Sequence, residues 1–248
     1  MTTCIIPYIG KTTLAKIVGG LQSPSALWIA YGTGATAHTL QSTCLNAEVA
    51  RAAATVTNLS TTKIQASHTF TAPYDLTVAE QALLDANGNL LFAENTGGVG
   101  AVEEDEEFTL NLEFGVTSFS VSRFVTAGKT ETRDLISNQS ATAFTYIGYG
   151  TGTTAESSAS TSLVTQIERV AATIQLVSLY GPLDTLRYIG IFTQLTTARV
   201  VSEIGIFNAA TSGDMLCRAL LDNTVSLAVG DIPVVIHDVI LHYVTSTV

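Results

Sequence analysis

The sequence predicts a mainly β fold of the α+β class, built as two tandem antiparallel β-sandwich or barrel-like modules that each open with a short helix. Three observations predict it: a repeat running through most of the chain, period-two apolar alternation in many short segments, and only two short stretches with helical spacing.

The repeat divides the 248 residues into module 1, residues 1–122, and module 2, residues 123–248. Trp28-Ile-Ala-Tyr-Gly-Thr-Gly34 lines up with Tyr146-Ile-Gly-Tyr-Gly-Thr-Gly152, 118 positions later. The same register joins Gly10-Lys11-Thr12 to Gly128-Lys129-Thr130, Leu45 to Leu163 and Arg51 to Arg169. Further along, loop lengths shift it, so that Val78 to Asp85 matches Val201 to Asn208 and Gly88 to Leu91 matches Gly213 to Leu216. At about 120 residues, each module is long enough to carry its own core.

The first helix is expected over residues 11–18, where Leu14, Ile17 and Val18 share a face and Gly19-Gly20 supplies the stop. A strand over 27–31 runs into Gly-Thr-Gly and a Thr/Ser/Ala-rich loop, and residues 45–51 read as a short helix or an extended segment. Residues 63–72 form a strand of alternating and β-branched residues. Asn87-Gly88 between 81–84 and 90–93 is the strongest hairpin signal in the chain. Residues 108–114 close the module as a period-two strand. Module 2 follows suit: a helix over 130–136, strands over 144–149 and 188–193, a pair formed by 200–208 and 215–220, and a closing strand over 234–243.

The chain is 46% hydrophobic and 13% charged, with a mean hydropathy of +0.35, so it holds more apolar surface than soluble domains usually carry. A membrane span does not absorb it, because the longest apolar stretch, 233–248, is short and interrupted by His237, Asp238 and His242. Residues 1–10 lack a basic leader and long apolar core, so a secretory signal is not expected. Protein contact is the expected outlet, which makes the chain a homo-oligomer or a subunit of a larger assembly. A net charge of −10 with only 11 scattered Lys and Arg argues against nucleic acid as a partner. Cys4, Cys44 and Cys217 have neither disulfide-framework nor zinc spacing and read as buried thiols.

Motifs that resemble chemistry have simpler readings. Gly10-Lys11-Thr12 has Ile5 where a P-loop needs glycine and marks the start of a capped helix. Gly32-Thr-Gly34 and Gly150-Thr-Gly152 are turns after strands, and Asp85-Ala-Asn87-Gly88-Asn89 is a hairpin rather than a calcium loop. His38, His68, His237 and His242 are dispersed, and the last two fall on opposite faces of one strand. With no nucleophile elbow, zinc-protease motif or flanked carboxylate pair, the chain is expected to be non-enzymatic, without cofactor or metal. The acidic run Glu103 to Glu107 is a solvated loop or a contact for a basic partner. Arg51 and Arg169 occupy matched positions and are expected to tie a loop carbonyl or carboxylate, with Glu80 and Glu203 as candidate partners.

A short helix, a strand ending in Gly-x-Gly, a loop to Glu-x-x-Arg or x-Glu-Arg, and a Glu-Ile-Gly-Ile-Phe-Asn strand ending in a hairpin together resemble phage tail-collar and tail-fibre attachment domains. Module 2 keeps the pattern best, as Tyr146 to Gly152, Ile167-Glu168-Arg169 and Glu203 to Asn208; module 1 shows Glu48 to Arg51 and a degraded Glu80 to Asp85. The resemblance implies a virion structural protein, made in the host cytoplasm, that contacts capsid or tail proteins. No fibre shaft or receptor tip follows, so a decoration protein or short connector is expected, and a trimer would suit either place. Trp28 and Tyr146 join the matched Arg and Glu residues as structural or interface candidates. The alternative is a host-recognition protein that binds surface glycan through Tyr8, Trp28, Tyr31 and Tyr74.

Overall fold

The computed structural model describes residues 3–96, 98, 101–118, 123–178 and 185–246. The first half comprises β1 (Thr3–Ile5), α1 (Tyr8–Val18), β2 (Trp28–Gly32), β3 (Glu48–Ala53), β4 (Thr55–Asn58), β5 (Lys63–Thr71), β6 (Leu76–Thr77), β7 (Glu80–Leu84), β8 (Leu90–Asn95), β9 (Ala101–Val102) and β10 (Glu107–Ser118). The second comprises β11 (Arg123–Phe124), α2 (Thr126–Ile136), β12 (Tyr146–Gly150), β13 (Gln166–Ala171), β14 (Thr173–Val177), β15 (Thr185–Ile191), β16 (Arg199–Phe207), β17 (Met215–Leu227) and β18 (Val234–Ser246). The fold is mainly β and its strand pairs are antiparallel, as the alternation predicts.

Two five-stranded sheets have the orders β1-β8-β7-β2-β3 and β11-β17-β16-β12-β13. Matched through the sequence repeat, the two orders are the same. Between them lies a six-stranded sheet, β14-β15-β18-β10-β5-β4, in which β10 of the first half pairs with β18 of the second and Thr117 stands opposite His242. Each five-stranded sheet packs its inner face on one end of this shared sheet. In the first half Ile29 and Tyr31 of β2 meet Ile64, Phe70, Leu112 and Phe114; in the second Ile147 and Tyr149 of β12 meet Leu186, Tyr188 and Val239.

The helices lie across the junction. Leu14 of α1 belongs to the first core, whereas Ala15, Ile17 and Val18 pack into the second; Leu135 of α2 belongs to the second core and Ile136 to the first. The residue-122 boundary is therefore not a boundary of the cores. Polar bonds cross it as well: the Phe144 amide donates to the Val18 carbonyl (3.0 Å), Arg133 donates to the Ser60 carbonyl (2.6 Å), and the Asn58 and Gln139 amides bond each other reciprocally.

Both helices begin a turn earlier than the apolar spacing suggests, at Tyr8 and Thr126, and neither Pro7 nor Val125 makes a side-chain cap bond. Gly10 and Gly128 are therefore not cap residues but sit inside the first turn, where a Cβ would lie 2.4 Å from the Leu91 carbonyl oxygen and 2.5 Å from the Leu216 carbonyl oxygen. The helix rests its backbone directly on β8 or β17 at that point. The ambiguous 45–51 segment resolves into extended chain ending in β3. The Asn87-Gly88 hairpin forms as predicted, with Gly88 at φ 81° and Asp85 accepting from the Asn87 and Asn89 amides.

Candidate functional site

The Gly-Thr-Gly loops are held by several polar bonds, and a buried glutamate lies under each. Glu80, the first residue of β7, accepts from the Gly34 amide (3.2 Å), the Asn46 amide (2.9 Å) and the Ala47 amide (2.6 Å). Glu203 of β16 accepts from the matched amides of Gly152 (3.0 Å), Val164 (3.1 Å) and Thr165 (2.8 Å). Both glutamates are fully buried. This explains the glycines: a Cβ on Gly34 or Gly152 would lie 2.5 Å from the carboxylate oxygen of Glu80 or Glu203.

Each carboxylate also meets a nitrogen-bearing side chain. The expected partners, Arg51 and Arg169, are not those side chains. Arg51 forms a fork with Glu48 on the surface of β3 (2.6 and 2.7 Å). Arg169 donates to the Ala209 and Ser212 carbonyls and stacks on the Phe207 ring, 3.4 Å from its centroid, so it anchors a loop by carbonyls. Glu80 pairs instead with His38 (2.9 Å), from the loop after Gly34, and Glu203 with Arg218 (2.7 Å), from β17. The matched positions are exchanged: Glu156 stands where the first half has His38, and Ala93 where the second has Arg218. Each site keeps one nitrogen-bearing side chain against the carboxylate while its source in the chain changes, which hides the pairing from any single-register comparison.

Burial pushes the Glu203 carboxyl up, but the Thr165 amide, the Arg218 guanidinium and the Val164 and Gly152 amides outweigh it and hold the group below the ordinary carboxylate range. In β8, Glu94 is raised instead, because burial there is opposed by only one side-chain bond from Gln81.

Trp28 and Tyr146 are half-buried at the starts of β2 and β12, packed against the clusters that hold Leu84 and Phe207 respectively. Tyr31 is wholly buried between the Phe70 and Phe108 rings, which corrects its reading as an exposed aromatic; Tyr74 alone of the four candidate aromatics is more than half exposed, at 51%. Cys217 is buried as expected, Cys44 is exposed contrary to expectation, and the side chains of Cys4 and His242 lie outside the described residues.

The two ends of the molecule differ in chemistry. Beyond the β6–β9 pair, Glu103 to Glu107 form an exposed turn in which Asp105 adopts φ 63° and Asp75 accepts from the Glu104 amide. After the corresponding pairing of 199–200 with 226–227, the second half presents Val229 and Ile232, and these together with Val225 of β17 and Val234 and Ile236 of β18 are each about half exposed or more. Val225, Val234 and Ile236 also line a groove of about 220 Å³ with Val201, Leu221 and Leu227. Among the described residues no group of three or more His, Cys, Asp or Glu is placed to hold a metal, and no helix is long and apolar enough to cross a membrane.

Compared with protein-family models, with curated proteins and with solved structures, the chain matches none.

Proposed function

We propose that the chain is a non-enzymatic structural component of a tailed-virus particle, decorating the capsid or joining parts of the tail through protein contacts. The observation that carries this reading is the apolar end of the second half. Val225, Val234 and Ile236 stand in solvent around one groove, and Val229 and Ile232 are exposed in the segment that matches the acidic run of the first half; exposed apolar surface of this kind marks a site of protein contact. The tail-attachment motifs in the sequence support the virion setting, and the low charge content supports assembly into a homo-oligomer or larger array. Repetition of the subunit on a particle would add avidity to a modest individual contact.

Copy number on purified particles tests the proposal. Hundreds of copies spread over the head indicate decoration; a few to a few tens at the tail or one vertex indicate a connector; absence from particles overturns the virion reading. On particles, Val234→Asp with Ile236→Asp should cut incorporation at least tenfold while the isolated protein stays folded, since both side chains are already more than half exposed.

A further inference from the structure

We propose that a polar pocket in the second half, floored by Tyr149 and walled by Glu168, Thr193, Gln194, Thr196 and Arg199, binds a sugar unit. This inference is independent of the virion reading and rests on a difference between the two halves.

The cavity measures about 360 Å³ and opens between β13, the segment after β15 and the start of β16. That is at the lower end of the roughly 300–1,000 Å³ typical of small-molecule sites. Tyr149 is fully buried beside this cavity, and its hydroxyl has no hydrogen-bond partner among the described residues. Glu168 is held in place by the Thr193 hydroxyl (2.9 Å) and amide (3.2 Å), and Gln194 is oriented by donating to the Gly230 carbonyl (2.8 Å).

The first half provides an internal control. Tyr31 meets Phe70 edge-on with centroids 4.9 Å apart, as Tyr149 meets Phe192 at 4.6 Å, so the two tyrosines occupy matched sites. Opposite Phe70 in the sheet stands Phe108, whose ring lies 4.9 Å from Tyr31 and closes the space above it. Opposite Phe192 stands Pro233, whose carbonyl accepts from the Phe192 amide. Where the second half has Glu168, the first has Ala50. The Tyr31 hydroxyl is also buried without a partner, and the Tyr31 ring meets two aromatic rings. One fold position is thus filled with apolar atoms in one half and is open and polar in the other.

The lining points to hydroxyl-rich, uncharged ligands. One carboxylate and one guanidinium balance each other, so a net anion or cation gains nothing from the pair. Each planar group can grip two adjacent hydroxyls, the carboxylate as acceptor and the guanidinium as donor, while hydroxyl and amide groups serve both roles.

The test uses the full chain with the methyl glycosides of glucose, mannose, galactose and N-acetylglucosamine, followed by saturation-transfer NMR and calorimetry. At least one glycoside should bind with a Kd in the millimolar range or tighter. Glu168→Ala, which installs the first half's residue, and Arg199→Ala should each weaken binding at least tenfold with the thermal midpoint retained; Tyr31→Phe should leave binding unchanged. Failure of all four glycosides to bind, binding that survives both pocket substitutions, or binding of the zwitterion glycine in their place would each overturn the proposal.

Discussion

At the residue scale, the paired glutamates decide how much of the loop structure is negotiable. Removing the Glu203 carboxylate leaves three amides and the Arg218 guanidinium buried without their acceptor, and breaking a buried pair from one side costs about 3–5 kcal/mol. Glu203→Ala and Arg218→Ala should each lower stability by that order in urea denaturation, and the double variant should lose clearly less than the sum, because the second deletion removes a charge already stranded. The pH dependence has two parts. Glu203 is depressed in the folded state, so its contribution is present above the unfolded carboxylate value of about 4.3 and is lost as pH falls through the folded value. His237 of β18 is lowered from 6.5 to about 4 by burial, against the opposing pull of Asp238. Between those values the unfolded chain binds the extra proton, so stability falls as pH drops from about 6.5 toward 4 and this contribution levels off below. His237→Asn should flatten the urea midpoint across that window and leave the steeper loss below it.

At the element scale, the helix-on-strand contacts depend on two glycines. Gly10→Ala and Gly128→Ala each place a methyl about 2.5 Å from backbone atoms of the Leu91 or Leu216 strand, where no side-chain rotation can relieve it. Overpacking of that kind costs about 1–3 kcal/mol, and the two variants should show similar losses in thermal midpoint. These glycines were visible as a repeated Gly-Lys-Thr, but their role was not, because the atoms they avoid lie some 80 residues away in sequence. The Asn87-Gly88 hairpin was legible for the opposite reason: its hydrogen bonds are made within five residues, and the positive φ of Gly88 is a local demand.

At the scale of the whole molecule, the two halves interlock rather than abut. Ala15, Ile17 and Val18 complete the second core and Ile136 the first, while β10 and β18 join in one sheet. Residues 1–122 or 123–248 expressed alone would each expose a helix face and the edge of a central strand. Each should therefore lack cooperative unfolding by circular dichroism and recover it when the two are mixed. A cooperative transition in either isolated half would show that the crossed helix contacts are dispensable.

Local pattern alone specified the two short helices, the longer strands and the Asn87-Gly88 turn, since each of these is a response of the backbone to neighbours a few residues away; it left the strands β1, β4, β6, β9, β11 and β14 unmarked. It also marked Glu80, Glu203, Arg51 and Arg169 as matched pairs. Which side chains meet was left to the tertiary fold, because His38 and Arg218 reach their glutamates from different elements in the two halves. It likewise decided that Tyr31 is covered by the Phe108 ring, whereas Tyr149, as fully buried, borders a cavity. Burial and ion pairing depend on the meeting of segments distant in the chain, and a repeat read in one register assigns the same partner to both copies even where the fold has exchanged it.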